Sequence, residues 1–136
     1  MGCRLCEVHC LVKHSKSQKI IKAYKGEWPK PQPRVIVEQE GYLSFALQCR
    51  HCEEAPCLEA CLTGAMHRDH ETGAILCDEE KCVGCWMCIM VCPFGVVTRQ
   101  LTEEKKVASK CDLCLGKELP VCVAHCPNEA IVFEEH

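Results

Sequence analysis

The run from Cys82 through Cys85, Cys88 and Cys92 to Pro93 places four thiols at the spacing C-x2-C-x2-C-x3-C-P. Three cysteines at intervals of three can wrap one metal cluster from a single tight loop. The fourth falls on the following helical turn and faces away. In iron–sulfur ligand runs of this spacing, that fourth thiolate serves a neighbouring cluster. A chain carrying one such run therefore has to supply another.

It supplies three more. Cys3, Cys6 and Cys10 form a first group, Cys49, Cys52, Cys57 and Cys61 a second, and Cys111, Cys114, Cys122 and Cys126 a fourth that ends in Cys126-Pro127. Only Cys77 is left outside the groups. Sixteen cysteines stand against three Phe, two Trp and two Tyr in 136 residues. A core this poor in aromatics needs disulfides or metal to hold it. Disulfides suit secreted chains, and no basic-then-apolar leader opens this sequence. Zinc sites commonly join two C-x2-4-C knuckles into one tetrahedron, whereas four thiols ending in C-P do not divide into knuckles. The spacing selects iron–sulfur, most naturally cubane 4Fe–4S clusters.

Short extended runs flank the groups: 65–67, 96–98 and 130–133 after them, 74–77 and 107–109 before them. His70-Glu71-Thr72-Gly73 reads as a hairpin turn. The repeating unit is strand, cysteine loop, one or two helical turns, strand. Two units make a dicluster ferredoxin, and four make two diclusters. Crosswise donation then assigns Cys49, Cys52, Cys57 and Cys92 to one cluster, and Cys82, Cys85, Cys88 and Cys61 to its mate. The outer groups pair across the chain, Cys111, Cys114 and Cys122 with Cys10, and Cys3 and Cys6 with Cys126. This last set lacks a fourth thiol, which would stand just ahead of Met1. Either the sequence begins inside the motif, the reading we favour because the strand before the loop is missing too, or three cysteines hold a 3Fe–4S or incomplete cluster.

Between Lys13 and Arg34 lie seven Lys or Arg against the single acid Glu27. Trp28 to Pro33, with three prolines, cannot be helical and reads as a polyproline-like crossing. Val35–Val37 and Tyr42–Phe45 read as a hairpin around Glu40-Gly41. This interval is either a solvated bridge between halves or a basic docking surface for an acidic partner.

The remaining residues have humbler readings. Cys77 is read as a packed thiol, not a ligand. His9, His51 and His125 sit inside cysteine groups, where surface or capping roles compete with donation to cluster sulfur. Trp86 and Met87 shield the cluster, Pro93 and Pro127 stop helices, and Gly84 and Gly95 allow tight turns. No nucleophile–base pair, phosphate loop or open metal position marks an enzyme. A formal net charge of −3 and the absence of paired His ligands speak against a zinc-stabilised nucleic-acid module.

Gln48-Cys49-Arg50-His51-Cys52-Glu53 with Ala55-Pro56-Cys57, then Cys82-Val83-Gly84-Cys85-Trp86-Met87-Cys88, then Lys110-Cys111-Asp112-Leu113-Cys114, resemble the four-cluster ferredoxin-like electron-transfer subunits. Those accompany oxidoreductases of the dimethyl sulfoxide reductase type, formate dehydrogenases and hydrogenases. The opening Gly2-Cys3-Arg4-Leu5-Cys6-Glu7-Val8-His9-Cys10 looks most like the branch associated with carbon monoxide dehydrogenase. The second group departs from the pattern by ending Cys61-Leu62. The resemblance implies an α+β fold of two pseudo-symmetric dicluster units with short strands and helices. The outer unit would take residues 1–48 and 100–136, with an insertion at 11–48, and the inner one 49–99. It further implies up to four 4Fe–4S clusters and electron relay without substrate chemistry. The partner would be a larger redox subunit: carbon monoxide dehydrogenase, formate dehydrogenase, hydrogenase, aldehyde oxidoreductase or flavin-dependent NAD(P)H oxidoreductase. A freely diffusing polyferredoxin is the alternative. A cytoplasmic setting without membrane insertion or nucleic acid is expected.

Overall fold

The computed structural model describes residues 2–134; residue 1 and residues 135–136, at the ends of the expected outer domain, lie outside them. The elements are short, as a chain folded around cysteine loops requires. In order they are α1 (Leu5–Lys13), α2 (Ile20–Lys25), β1 (Ile36–Glu40), β2 (Leu43–Leu47), α3 (Pro56–Glu59), β3 (Met66–Arg68), β4 (Ile75–Cys77), α4 (Met87–Val91), β5 (Thr98–Leu101), β6 (Lys106–Ser109) and α5 (Val121–Ala124). Three antiparallel pairs, β1–β2, β3–β4 and β5–β6, make up the sheet content among the described residues.

Contacts divide the chain into two units. One holds the residues up to Leu47 and from Leu113 onward, the other Gln48–Asp112. In the inner unit, Met66, Ile75, Val97, Val107 and Ala108 pack around Ala55 and Ala65, and the thiols of Cys82 and Cys88 belong to that same core. Helix α3 packs against α4. Residues 100–112, expected in the outer domain, group here, because β6 pairs with β5 and buries Val107 and Ala108 in the inner core.

In the outer unit, Val35 and Val37 close over Cys6, Cys10 and Cys122, and α1 packs against α5. The β1–β2 register sets Glu40 opposite Leu43, leaving Gly41 and Tyr42 as a two-residue turn. Gly41 has φ +61, the region glycine enters freely at the first centre of a type II′ turn. The Glu7 carboxylate accepts the Val37 N–H at 2.6 Å and ties α1 to the hairpin.

Three local expectations change. Helix α1 runs nine residues, beyond one or two turns. Helix α2 forms inside the basic interval, with Ala23 as its buried residue. Residues 130–133 form no strand, since no strand lies beside them among the described residues. The polyproline stretch forms neither helix nor strand, and carries a cis Trp28–Pro29 bond.

Candidate metal centre

Each cysteine loop turns through a left-handed residue that is not glycine. Arg4 (φ 61) follows Cys3 and caps α1, and Trp86 (φ 65) follows Cys85 and caps α4. His51 (φ 47) stands two residues after Cys49, and Leu113 (φ 56) two after Cys111. Non-glycine residues seldom sit there, and such conformations cluster at ligand clamps. Backbone donors from the loops and from the strands beside them point at sulfur. His51 N–H points at Cys49 Sγ (3.4 Å), Met66 at Cys61 (3.4 Å), Ala108 at Cys82 (3.5 Å), Ala130 at Cys126 (3.3 Å) and Arg34 at Cys10 (3.1 Å).

Most of the thiols line cavities. Cys49, Cys52 and Cys57 line one with Cys92, together with His51, Pro93 and Phe94. Cys82, Cys85 and Cys88 line the second with Cys61, joined by Trp86 and by Cys77. In the outer unit, Cys3, Cys6 and Cys126 line the third with Arg4, Phe45 and Ile131. Cys10 and Cys122 share the outer core, and Cys114 is buried in the same unit; Cys111 stands on the inner side of the division at Asp112. No cysteine is in a disulfide. Among the described residues no group of three or more His, Cys, Asp or Glu side chains converges as the ligands of one ion would.

Charge explains what such thiols need. Burial pushes Cys88 and Cys122 up to about 11, and raises Cys6 and Cys57 as well. At neutral pH these groups are protonated unless a cation stands against them, and iron supplies that charge. Cys61 and Cys126 go the other way. At Cys61 burial pushes upward, but the Met66 N–H and Thr63 outweigh it; at Cys126 the Ala130 N–H leads. Free thiols, aimed amides and cavity-lining quartets fit an iron–sulfur cubane, whose four thiolates each bond a different iron.

The weaker candidates resolve individually. Cys77 borders the second cavity, and burial, with Cys82, Cys88 and Cys61 nearby, pushes its thiol to about 12. Sequence reasoning took it for a packed residue and missed its place on a cavity wall; its position at the strand end before the loop was the available signal. Trp86 lines that cavity under the Arg99 guanidinium at 5.0 Å. Met87 begins α4 and is exposed. His9 and His125 stack on one another, centroids 3.7 Å apart. His51 is lowered to about 4, mainly by burial and then by Lys110.

A model of the 4Fe–4S dicluster domain matches residues 41–136. The chain belongs to the 4Fe–4S dicluster family. This dicluster protein is 38% identical over 145 residues to an iron–sulfur protein of Rhodospirillum rubrum, covering 96% of this chain and 75% of that one. It is 36% identical over 146 residues to the electron transport protein HydN of Escherichia coli K12, covering 97% of this chain and 81% of HydN. It also matches the E. coli K12 protein AegA at 36% over 137 residues, but spans only 20% of that longer chain. The dicluster protein's cofactors are 4Fe–4S clusters. No helix among the described residues is long and apolar enough to cross a membrane.

Proposed function

We propose that this chain relays single electrons through 4Fe–4S clusters bound crosswise, between a partner redox protein and an acceptor, without chemistry on a substrate. When bound, each cluster takes up and gives back one electron. The chain's residues set its spacing, its dryness and the hydrogen bonds to its sulfur.

The observation that carries the reading is Cys92. It follows Cys82, Cys85 and Cys88 in one short run, yet lines the cavity of Cys49, Cys52 and Cys57, while Cys61 lines the other. We assign these as the two inner quartets. In the outer unit we assign Cys10, Cys114 and Cys122 to one site, and Cys3, Cys6 and Cys126 to another. Pseudo-symmetry between halves is supported by local repetition. Arg4 and Trp86 share a left-handed conformation at one loop position, His51 and Leu113 have positive φ at another, and α1 meets α5 as α4 meets α3.

The basic interval supports docking to an acidic redox partner. Glu27, its lone acid, accepts the N–H groups of Lys16 and Ser17 at 3.1 and 2.6 Å. Ile21 and Trp28 remain exposed among the lysines. Electrostatic steering of this kind speeds encounter and weakens with salt. Anaerobic purification with iron analysis and EPR tests the reading. Roughly sixteen irons per chain, at four per cubane, is the expected content; a colourless zinc protein would refute it.

A further inference from the structure

One polar atom in the inner unit is left unsatisfied beside a cavity. His51 Nδ1 accepts the Ile75 N–H at 3.0 Å. In the neutral ring this puts the proton on Nε2. Nε2 is buried and has no hydrogen-bond partner among the described residues, and the ring lines the cavity of Cys49, Cys52, Cys57 and Cys92. Leaving a buried donor unpaired is unfavourable, because the group has lost water and gained nothing in its place. A fold that fixes the tautomer through one nitrogen, and leaves the other buried and unpaired on a ring that lines a sulfur-rich cavity, offers a donor to sulfur.

The same strand residue also holds a lysine. The Ile75 carbonyl accepts from Lys110 Nζ, and Lys110 is only 3% exposed. Strand β4 thus uses both backbone groups of Ile75, one to orient an imidazole and the other to anchor an ammonium. The neighbouring cavity has no imidazole: Thr63, Met66, Cys77, Val83 and Trp86 accompany its cysteines, and the cations beside it are Lys105, whose Nζ donates to the Cys82 carbonyl at 2.8 Å, and Arg99 over Trp86.

We propose that His51 Nε2–H donates a hydrogen bond to sulfur of the cluster held by Cys49, Cys52, Cys57 and Cys92, and that with Lys110 it makes this the more easily reduced of the inner pair. Reduction adds negative charge, so a donor to sulfur and a buried cation both favour the reduced form. The inference rests on the ligand assignment of the inner quartets. Electrons pausing in this unit then collect on the His51 side.

The test compares the wild-type chain with His51→Leu and His51→Gln, purified anaerobically, by iron content and EPR-monitored reduction. His51→Leu keeps its iron, and one reduction step moves to lower potential. At the potential where that wild-type step is half complete, the reduced-to-oxidised ratio falls about tenfold, or ~59 mV for one electron. His51→Gln, whose amide can donate, recovers part of the shift. Full iron content with unmoved steps in His51→Leu overturns the proposal. Should that variant lose iron, histidine-15N wild-type protein decides: hyperfine coupling of a histidine nitrogen to a reduced cluster supports the bond, and its absence overturns it. A separate control keeps the foundation distinct. If Cys92→Ser and Cys49→Ser remove different EPR signals, the ligand assignment fails, whatever His51 does.

Discussion

Gly84 lies between the proposed ligands Cys82 and Cys85 at φ +75, and a Cβ built there comes within 2.9 Å of the Lys106 carbonyl oxygen. Gly95 offers a matched comparison, with φ +64 and nothing within 4 Å. Alanine at either site takes on left-handed strain, ~1–2 kcal/mol. At Gly84 it must also displace backbone, and overpacking of that kind adds ~1–3 kcal/mol. The backbone in question is β6, whose Ala108 N–H points at Cys82 Sγ, so the displacement reaches the cluster site. A fold built around a cofactor does not unfold as a simple reversible two-state system. The readout is therefore the rate at which visible cluster absorbance bleaches anaerobically in dilute denaturant. If the contact is absent from the transition state, its loss falls on the unfolding rate. Gly84→Ala then bleaches faster than Gly95→Ala by roughly five- to a hundredfold, at 1.36 kcal/mol per decade. Equal rates for the two variants would refute the close approach of Lys106 and the reasoning built on it.

Other perturbations separate the remaining claims. Cys77→Ala retains the full iron content of the wild type, since four other thiols line its cavity; loss of about four irons, one cubane, would make Cys77 a ligand. Cys61→Ser disturbs the same EPR signal as Cys85→Ser, and Cys92→Ser the same one as Cys52→Ser. The Glu27 carboxyl is held below the usual range, first by its hydrogen bonds from Ser17. Its folded value is depressed, so its contribution is present above the unfolded value of about 4.5 and fades as pH falls through the folded one; hydrogen exchange at Lys16 and Ser17 accelerates in that window, and Glu27→Gln removes the pH dependence. Stripping iron with a chelator and oxidant abolishes the inner-unit fold as seen by circular dichroism, because Cys82 and Cys88 are core residues there.

The sequence was most readable where ligand geometry left the chain no choice. Cysteine spacing, read with the crosswise donation of such runs, placed Cys92 with Cys49 and Cys61 with Cys82, and the same residues line two cavities of the inner unit. The β1–β2 and β3–β4 hairpins were legible through Gly41 and Gly73, whose turns are local. Helix α2 was not, because Ile20 to Lys25 buries only Ala23 and shows little amphipathic period. The strand expected at 130–133 failed for a related reason: pairing depends on a neighbour that composition cannot locate. His51 stood in sequence between a capping role and donation to cluster sulfur, and what distinguishes it is the Ile75 N–H, which its Nδ1 accepts from a strand 24 residues away.

Helix α4 is five residues long, and it carries Cys88 toward one cavity while Cys92, capping its end, lines the other. The two proposed cluster sites of the inner unit therefore hang on one short lever. A displacement of Cys88 at one site is passed along a single turn of backbone to Cys92, so damage to one centre alters the geometry offered to its mate.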